Sequence, residues 1–190
     1  MKKLTLFLFV SIFGFSSCSE DDSGSSSSSG LTIDGQTFLL TDAKATDNYN
    51  FYYDTHSEYS FSFSDGPITV TAVPDSFYGF EVDNASIAIS LSMVSFGNTF
   101  ENGVYTFDEG LWADPPANSF FDSLSINIDG NNDNDFNDAV DKYLYATSGT
   151  ITVSGSAPDY TIFFDVILSN GDAFQYTYDG GFDYVDNRND

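Results

Sequence analysis

The residues after Gly30 repeat an alternation of apolar and small polar side chains with a period of two. Such alternation places the apolar side chains on one face of an extended strand, whereas an amphipathic helix would need apolar residues three and four positions apart. No segment in this part of the chain keeps a helical period, so the pattern predicts an all-β fold. The clearest alternating segments are 59–63, 87–93, 124–128 and 151–153.

Turn signals rich in glycine separate these segments. Their spacing predicts an antiparallel β-sandwich of about 8–10 strands. A closed or partly closed antiparallel barrel of the lipocalin type is the alternative that the same spacing allows. The turn signals are Asp34-Gly35, Asp65-Gly66-Pro67, Asn102-Gly103, Asn170-Gly171 and Gly180-Gly181.

The hairpin around Asn170-Gly171 can be predicted in register. A two-residue turn would pair even positions with odd ones and scatter the apolar side chains over both faces. A three-residue loop, Ser169 to Gly171, with Gly171 in the left-handed region, pairs even with even and keeps the apolar side chains together. The predicted pairs are Ile162–Tyr178, Phe164–Tyr176 and Val166–Phe174.

The N-terminus has the plan of a signal peptide. Lys2 and Lys3 precede an apolar stretch, 4–15, that is too short to span a bilayer. The stretch leads into Phe15-Ser16-Ser17-Cys18, which resembles the lipobox of bacterial lipoproteins, with Phe15 in place of the usual Leu. The resemblance implies that Cys18, the only cysteine, is lipidated and becomes the first residue after cleavage. An ordinary secretory signal with an incidental cysteine is the alternative.

The next residues predict a tether. Ser19-Glu20-Asp21-Asp22 resembles the export tag that sends lipoproteins of the Bacteroidota to the outer face of the outer membrane, and a Ser-rich linker runs to Gly30. A solvated acidic tether at the periplasmic leaflet is the alternative. The predicted organisation is a signal peptide at 1–17, a lipidated cysteine with its tether at 18–30, and one all-β domain at 31–190.

Strand and turn motifs in the body of the chain carry a further resemblance. They are similar to motifs of small flavobacterial-type surface lipoproteins of the Bacteroidota, which implies an all-β lipoprotein domain and brings no catalytic residues with it. The motifs are LTIDGQTF at 31–38, GVYTF at 103–107, SGTITVS at 148–154, YTIFFD at 160–165, NGD at 170–172 and YDG at 178–180.

The segment 129–138 follows the alternating oxygen spacing of calcium loops. Asp129, Asn131 and Asp133 would stand at ligand positions 1, 3 and 5. Asp135 would supply a backbone carbonyl, and Asn137 would stand at the water-side position. The candidate cofactor is Ca²⁺, bound with a dissociation constant of about 10⁻⁴–10⁻³ M, as in extracellular modules.

Two positions depart from that calcium pattern. Asn134 replaces the usual Gly, although Asn tolerates a left-handed backbone. Val140 replaces the closing Glu, so Asp138 or Asp141 would have to complete the site. A strand also enters the loop where an EF-hand has a helix. A solvated acidic hairpin loop without a cation is the alternative.

Charge and residue counts exclude several classes of function. Five basic residues against 29 acidic ones give a net charge of −24, which argues against nucleic acid and anionic lipid surfaces as partners and favours a monomeric domain. One Cys and one His exclude a disulfide framework and a zinc finger. His56 is predicted to be a surface turn histidine, and no Gly-x-Ser-x-Gly motif is present. We therefore predict that the protein is not an enzyme. A glycan-active hydrolase is the remaining catalytic alternative.

Trp112 is the candidate ligand-binding residue. It is the only Trp and stands in a loop with two prolines, where an indole could stack on a sugar face or fold back over the edge of the core. The predicted function is a non-catalytic extracellular binding module for a glycan or a protein, anchored to the membrane by lipid. A structural component that docks on an outer-membrane complex is the alternative.

Overall fold

The computed structural model describes residues 30–48, 54–72, 78–109 and 117–186. These residues form strands and no helix, so the all-β prediction is confirmed. In chain order the strands are β1 (Leu31–Ile33), β2 (Gln36–Phe38), β3 (Asp42–Asp47), β4 (His56–Ser64), β5 (Ile68–Ala72), β6 (Tyr78–Val82), β7 (Ile87–Phe96), β8 (Gly103–Phe107), β9 (Phe120–Ile128), β10 (Lys142–Ser156), β11 (Asp159–Leu168), β12 (Ala173–Gly181) and β13 (Asp183–Asp186).

Nine of these strands form one sheet in the order β12-β11-β10-β8-β9-β7-β4-β3-β13. The hairpins β1–β2 and β5–β6 form two further, two-stranded sheets. Most neighbours in the large sheet are antiparallel, as predicted, but β8 runs parallel to β9 and β13 runs parallel to β3. The sheet is therefore mixed. Neither parallel pair is connected by a tight turn, which can join only antiparallel neighbours.

The long strand β10 makes the sheet curl. Its residues 142–145 pair with β9, its residues 150–153 pair with β8, and a bulge interrupts its pairing with β11 between Ala146 and Ser148. A bulge bends a strand and increases its twist. Next to it, Gly149 has φ 122°, and a Cβ there would lie 2.4 Å from the carbonyl oxygen of Asp165. The strand can therefore bend at this point only with glycine in place.

The curl packs one half of the sheet against the other around an aromatic core. The ring of Phe63 on β4 lies 5.7 Å from that of Phe164 on β11 and 4.9 Å from that of Tyr178 on β12. Phe63 is fully buried. The arrangement is that of a sandwich or half-barrel whose two layers belong to one sheet.

The register predicted for the β11–β12 hairpin is confirmed. Ile162 pairs with Tyr178, Phe164 with Tyr176 and Val166 with Phe174. The N–H of Gly171 donates to the carbonyl of Leu168 at 2.8 Å, and Gly171 has φ 90°, as the three-residue loop requires. The burial of the even-numbered side chains on both strands explains why this register is preferred over the two-residue turn.

Of two predicted glycine turns, one is present in the structure and the other is part of a strand. Asp34 and Gly35, with φ 51° and 76°, form the two-residue turn of the β1–β2 hairpin. Gly180 and Gly181 do not form a turn, because they are the last residues of β12 and pair with β11. One residue later, after Phe182, the chain enters β13 at the other edge of the sheet.

Candidate functional site

The acidic loop, residues 129–141, joins β9 to β10, so a strand enters it as predicted. Asp129 is buried beneath the loop. Its Oδ1 accepts the N–H groups of Asn131 at 3.1 Å and Asn132 at 2.6 Å, and its Oδ2 accepts that of Asn134 at 2.8 Å. Burial alone would raise the pKa of this carboxyl, but the backbone N–H groups outweigh it and lower the pKa below its usual value.

The backbone of the acidic loop takes the shape that these bonds require. Asn132 and Asn134 have φ 58° and 68°, in the left-handed region that Asn tolerates. At the neck of the loop, Asp141 accepts the N–H of Gly130 at 2.9 Å and that of Asp138 at 2.6 Å. Asp141 therefore closes the loop by bonding its backbone.

Three of the six predicted calcium ligands come together. The Nδ2 of Asn131 lies 2.9 Å from Asp133 Oδ2 and 3.0 Å from Asp138 Oδ2. Asp135 instead accepts hydrogen bonds from the backbone and side chain of Asn137. Both carboxylate oxygens of Asp129 accept backbone N–H groups. Within the described residues, no three Asp, Glu, His or Cys side chains converge to hold a metal ion by themselves. A cation in the loop would therefore also need amide and carbonyl oxygens.

An exposed pair of tyrosines, called here the tyrosine face, lies next to the acidic loop. Tyr143 and Tyr145 are 62% and 48% exposed on the outer face of β10, with ring centroids 5.9 Å apart. Tyr143 pairs with Asn127, two residues before the loop begins. On the adjacent β11, Phe163 and Ile167 also keep more than a third of their surface exposed. Sequence reasoning missed this face, although an aromatic residue at alternate positions of an otherwise polar strand face was a signal for it.

A second group that sequence reasoning missed is the acid pair, Glu58 on β4 and Asp122 in β9. Ser92 on β7 lies between them: its Oγ donates to Glu58 Oε1 at 3.2 Å and also forms a hydrogen bond with Asp122. Burial, with the charge of Asp122 adding to it, raises the pKa of Glu58 to about 7. Burial also raises the pKa of Asp122. Each strand supplies only one member of this group, so no local sequence motif predicts it.

His56 is not the surface turn residue that was predicted. It is the first residue of β4 and is 2% exposed. Its ring packs edge-on against Phe96 at 5.2 Å and Phe120 at 6.0 Å, and its Nδ1 lies 2.9 Å from Thr55 Oγ1. The prediction was wrong because the polar sequence around His56 suggested a solvated turn, whereas this end of the strand is covered on its outer face.

The remaining predicted site residues lie outside the described residues. They are the lipidation site Cys18, the export tag Ser19, Glu20, Asp21 and Asp22, and the ligand-binding candidate Trp112. Within the part of the chain that the structure describes, no helix has the length and apolarity that crossing a membrane requires. No family model, curated protein or solved structure matches this chain.

Proposed function

We propose that this protein is a non-catalytic binding module on the outer membrane, and that its ligand contacts the tyrosine face. The observation that carries the proposal is the exposure of Tyr143 and Tyr145 side by side on a strand of the central sheet. A strand holds both backbones in place, and tyrosine has few side-chain torsions to order on binding. Exposed aromatic rings that are already positioned favour the stacking contacts of a binding surface.

The negative charge of the chain limits the classes of ligand that it can bind. Most of the 29 acidic residues belong to the predicted domain, and four of them stand at 133–141 directly before the tyrosine face. A polyanionic ligand would be repelled. A neutral glycan, whose sugar faces stack on aromatic rings, is therefore favoured, and a protein segment with basic residues is the second choice.

Calcium belongs to the proposal as a structuring cation of the acidic loop. Asn131, Asp133 and Asp138 are the side chains that would hold it. In differential scanning calorimetry of the full chain in mild detergent, Ca²⁺ added to EDTA-treated protein should raise Tm, while Mg²⁺ should raise it less. The variant Asp133→Asn/Asp138→Asn should lose the part of the Ca²⁺ effect that belongs to the loop. An unchanged effect would remove calcium from the loop.

The binding test uses the tyrosine face itself. We expect the full chain in mild detergent to bind at least one of the neutral polysaccharides laminarin, xylan, mannan and dextran in isothermal titration calorimetry. Tyr143→Ala/Tyr145→Ala should weaken that binding roughly tenfold or more, since aromatic contacts contribute about 0.5–1.5 kcal/mol each beyond their buried area. Leu39→Ala, which truncates another half-exposed apolar side chain, is the control. Equal binding by all three proteins would place the ligand elsewhere.

The anchor is proposed from the sequence and has its own test. Cys18 would carry the lipid, and Ser19 to Asp22 would direct the protein to the cell surface rather than to the periplasmic leaflet. Cells that express the full chain should incorporate labelled palmitate into it, and Cys18→Ser should abolish the label. Protease added to intact cells should then digest the wild-type domain. Protection from the protease would favour the periplasmic leaflet.

A structural role in an outer-membrane complex is the second candidate. The observation that favours it is a row of outward apolar side chains, Val104 on β8 and Phe163 on β11, which flank Thr152 of β10. Gentle cross-linking in cells, followed by purification, should then recover a stoichiometric membrane partner. Val104→Ser/Phe163→Ser should break that complex and leave polysaccharide binding unchanged.

A further inference from the structure

The outer face of the central strands carries a row of side-chain oxygens, several of them buried, that ends on β9, the strand that pairs with the tyrosine face. Of the buried side-chain oxygens in the described ranges, four have no hydrogen-bond partner: Thr46 Oγ1, Asn48 Oδ1, Glu58 Oε2 and Asp122 Oδ1. Glu58 is 6% exposed and Asn48 is 8% exposed. A buried polar atom without a partner lowers the stability of the fold by about 1–3 kcal/mol, and by more when the group is charged. We therefore expect these oxygens to bind a further group.

The strand register shows that the row is continuous. Thr46 on β3 pairs with Ser60 on β4, Ser60 pairs with Ser92 on β7, and Ser92 pairs with Ser123 on β9. Paired residues point to the same face of a sheet. Asn48 joins the row by donating from Nδ2 to Ser60 Oγ at 3.0 Å.

The acid pair sits at the β9 end of this row. The chain bulges between Ser123 and Phe121, which leaves Asp122 as the extra residue opposite β7. Bulges commonly redirect a side chain. Here the result is that the Asp122 and Glu58 carboxyls both form a hydrogen bond with the hydroxyl of Ser92.

Neither of the two described lysines neutralises the acid pair. Ser92 has one hydroxyl proton and can donate to only one of the two carboxylates. Lys44 is bound to Asp42 and Asp183, and Lys142 is bound to Asp34. The remaining described base, His56, lies on the same face with its Nδ1 against Thr55 and its ring between aromatic side chains. Glu58 is buried and Asp122 is half-buried, and two such carboxylates that share one hydroxyl need a proton or a cation between them.

We propose that the acid pair is a second divalent cation site, separate from the acidic loop, in which Glu58 and Asp122 bind Ca²⁺ together with the hydroxyl of Ser92. Carboxylate and neutral oxygens are the ligands that Ca²⁺ takes, in sets of six to eight and in flexible geometry. Mg²⁺ fits less well, because it keeps several waters and needs strict octahedral geometry. The amide oxygen of Asn48 and the hydroxyl of Thr46 would accept hydrogen bonds from waters that complete the shell. This site does not depend on the proposed binding function.

The test counts calcium ions in variants matched for charge. Glu58→Gln/Asp122→Asn removes two negative charges from the acid pair, and Asp133→Asn/Asp138→Asn removes two from the acidic loop. Equilibrium dialysis of the full chain against ⁴⁵Ca²⁺ should show one fewer ion per chain in the acid-pair variant than in the wild type. The loop variant should still bind the ion held by the acid pair, and MgCl₂ should displace it poorly.

Thermal melting supplies the second readout. In EDTA the acid-pair variant should melt at a higher temperature than the wild type, because it removes the repulsion between two buried charges. Added Ca²⁺ should raise the Tm of the loop variant. If the loop variant binds no calcium, the acid pair holds only a proton and the proposal is wrong. Because this last measurement leaves Glu58 and Asp122 intact, it decides the question even if the acid-pair variant fails to fold.

Discussion

The acidic loop and the acid pair hold carboxylates in opposite ways. In the loop, Asp129 is surrounded by backbone N–H groups that the loop folds around it. In the acid pair, Glu58 has one serine hydroxyl on one oxygen and no partner on the other. Both carboxyls are buried, yet the pKa of Asp129 is lowered and that of Glu58 is raised. Burial raises the pKa of a carboxyl, and the number of hydrogen-bond donors around it decides whether that effect is outweighed.

The difference has consequences for stability. A carboxyl whose pKa falls on folding stabilises the protein above its usual pKa, and the benefit is lost as the pH falls through the folded value. A carboxyl whose pKa rises on folding destabilises the protein as the pH rises through the same range. The two regions should thus respond to pH with opposite signs, and a cation bound at the acid pair should reduce the response of that region.

The largest expected effect is the pH dependence that Glu58 imposes. In EDTA, the free energy of unfolding should fall by about 3 kcal/mol as the pH rises from the usual pKa of 4.5 to about 7. Urea denaturation at several pH values measures this slope. Glu58→Gln should reduce it and leave the part that Asp122 contributes, whereas Glu81→Gln, at an exposed position of β6, should leave all of it in place. Equal slopes in the wild type and Glu58→Gln would mean that Glu58 is ionised normally.

A smaller effect is expected from the neck of the acidic loop. A Cβ on Gly130 would lie 2.2 Å from the carbonyl oxygen of Val140, so Gly130→Ala must push the two sides of the neck apart. We expect a loss of about 1–3 kcal/mol, the range of overpacked sites, in chemical denaturation. The pH slope of Glu58 should remain, which would separate the two regions. A loss below 0.5 kcal/mol would show that the neck opens freely.

Removing the Asp129 carboxylate should cost less, because water can reach some of the N–H groups that it leaves. We expect Asp129→Ala to lower Tm by a few degrees at pH 7 in EDTA, and by less at a pH low enough to protonate this carboxylate in the folded protein, below its usual pKa of 3.8. Calorimetry at both pH values tests the sign. A larger loss at the low pH would contradict the backbone bonds described for Asp129.

The smallest effect is expected at the exposed side of the loop. Asp135 accepts from the N–H of Asn137, and Asp135→Asn keeps an acceptor oxygen at this position. The free energy of unfolding should change by no more than about 0.5 kcal/mol, as for other surface substitutions. Urea denaturation beside Asp129→Ala gives the comparison. A loss as large as that of Asp129→Ala would mean that Asp135 stabilises the loop as much as Asp129 does.

The sequence predicts what is local in this fold. The β11–β12 register follows from the alternation of two short segments and one Asn-Gly signal, and the Asp34-Gly35 turn follows from two residues. The acidic loop is also contiguous, so its ligand spacing can be read directly, although the folded loop turns Asp129 and Asp141 towards the backbone.

Features that depend on the order of the strands, and on which face of the sheet is covered, could not be predicted. Glu58 and Asp122 are far apart in sequence and meet only because β4, β7 and β9 are neighbours and β9 bulges. The serines of β4 alternate with phenylalanines, which indicates an outer face in solvent, yet Ser62 and Ser64 are buried. Alternation identifies two faces of a strand, but it cannot tell whether the polar face is covered.

The parallel pairing of β13 with β3 fixes the order in which the fold can be completed. Lys44 on β3 and Asp183 on β13 are 139 positions apart in sequence and joined by an ion pair. A chain that emerges from its N-terminus holds β3 early, but β3 has no second neighbour until residue 183 is free to reach it. Long-range pairing of this kind is slow, since the entropy of closing the loop is lost before the contact forms. The strand that completes the sheet is therefore among the last to be made, and the short passage through Phe182 brings it into place once β12 has formed.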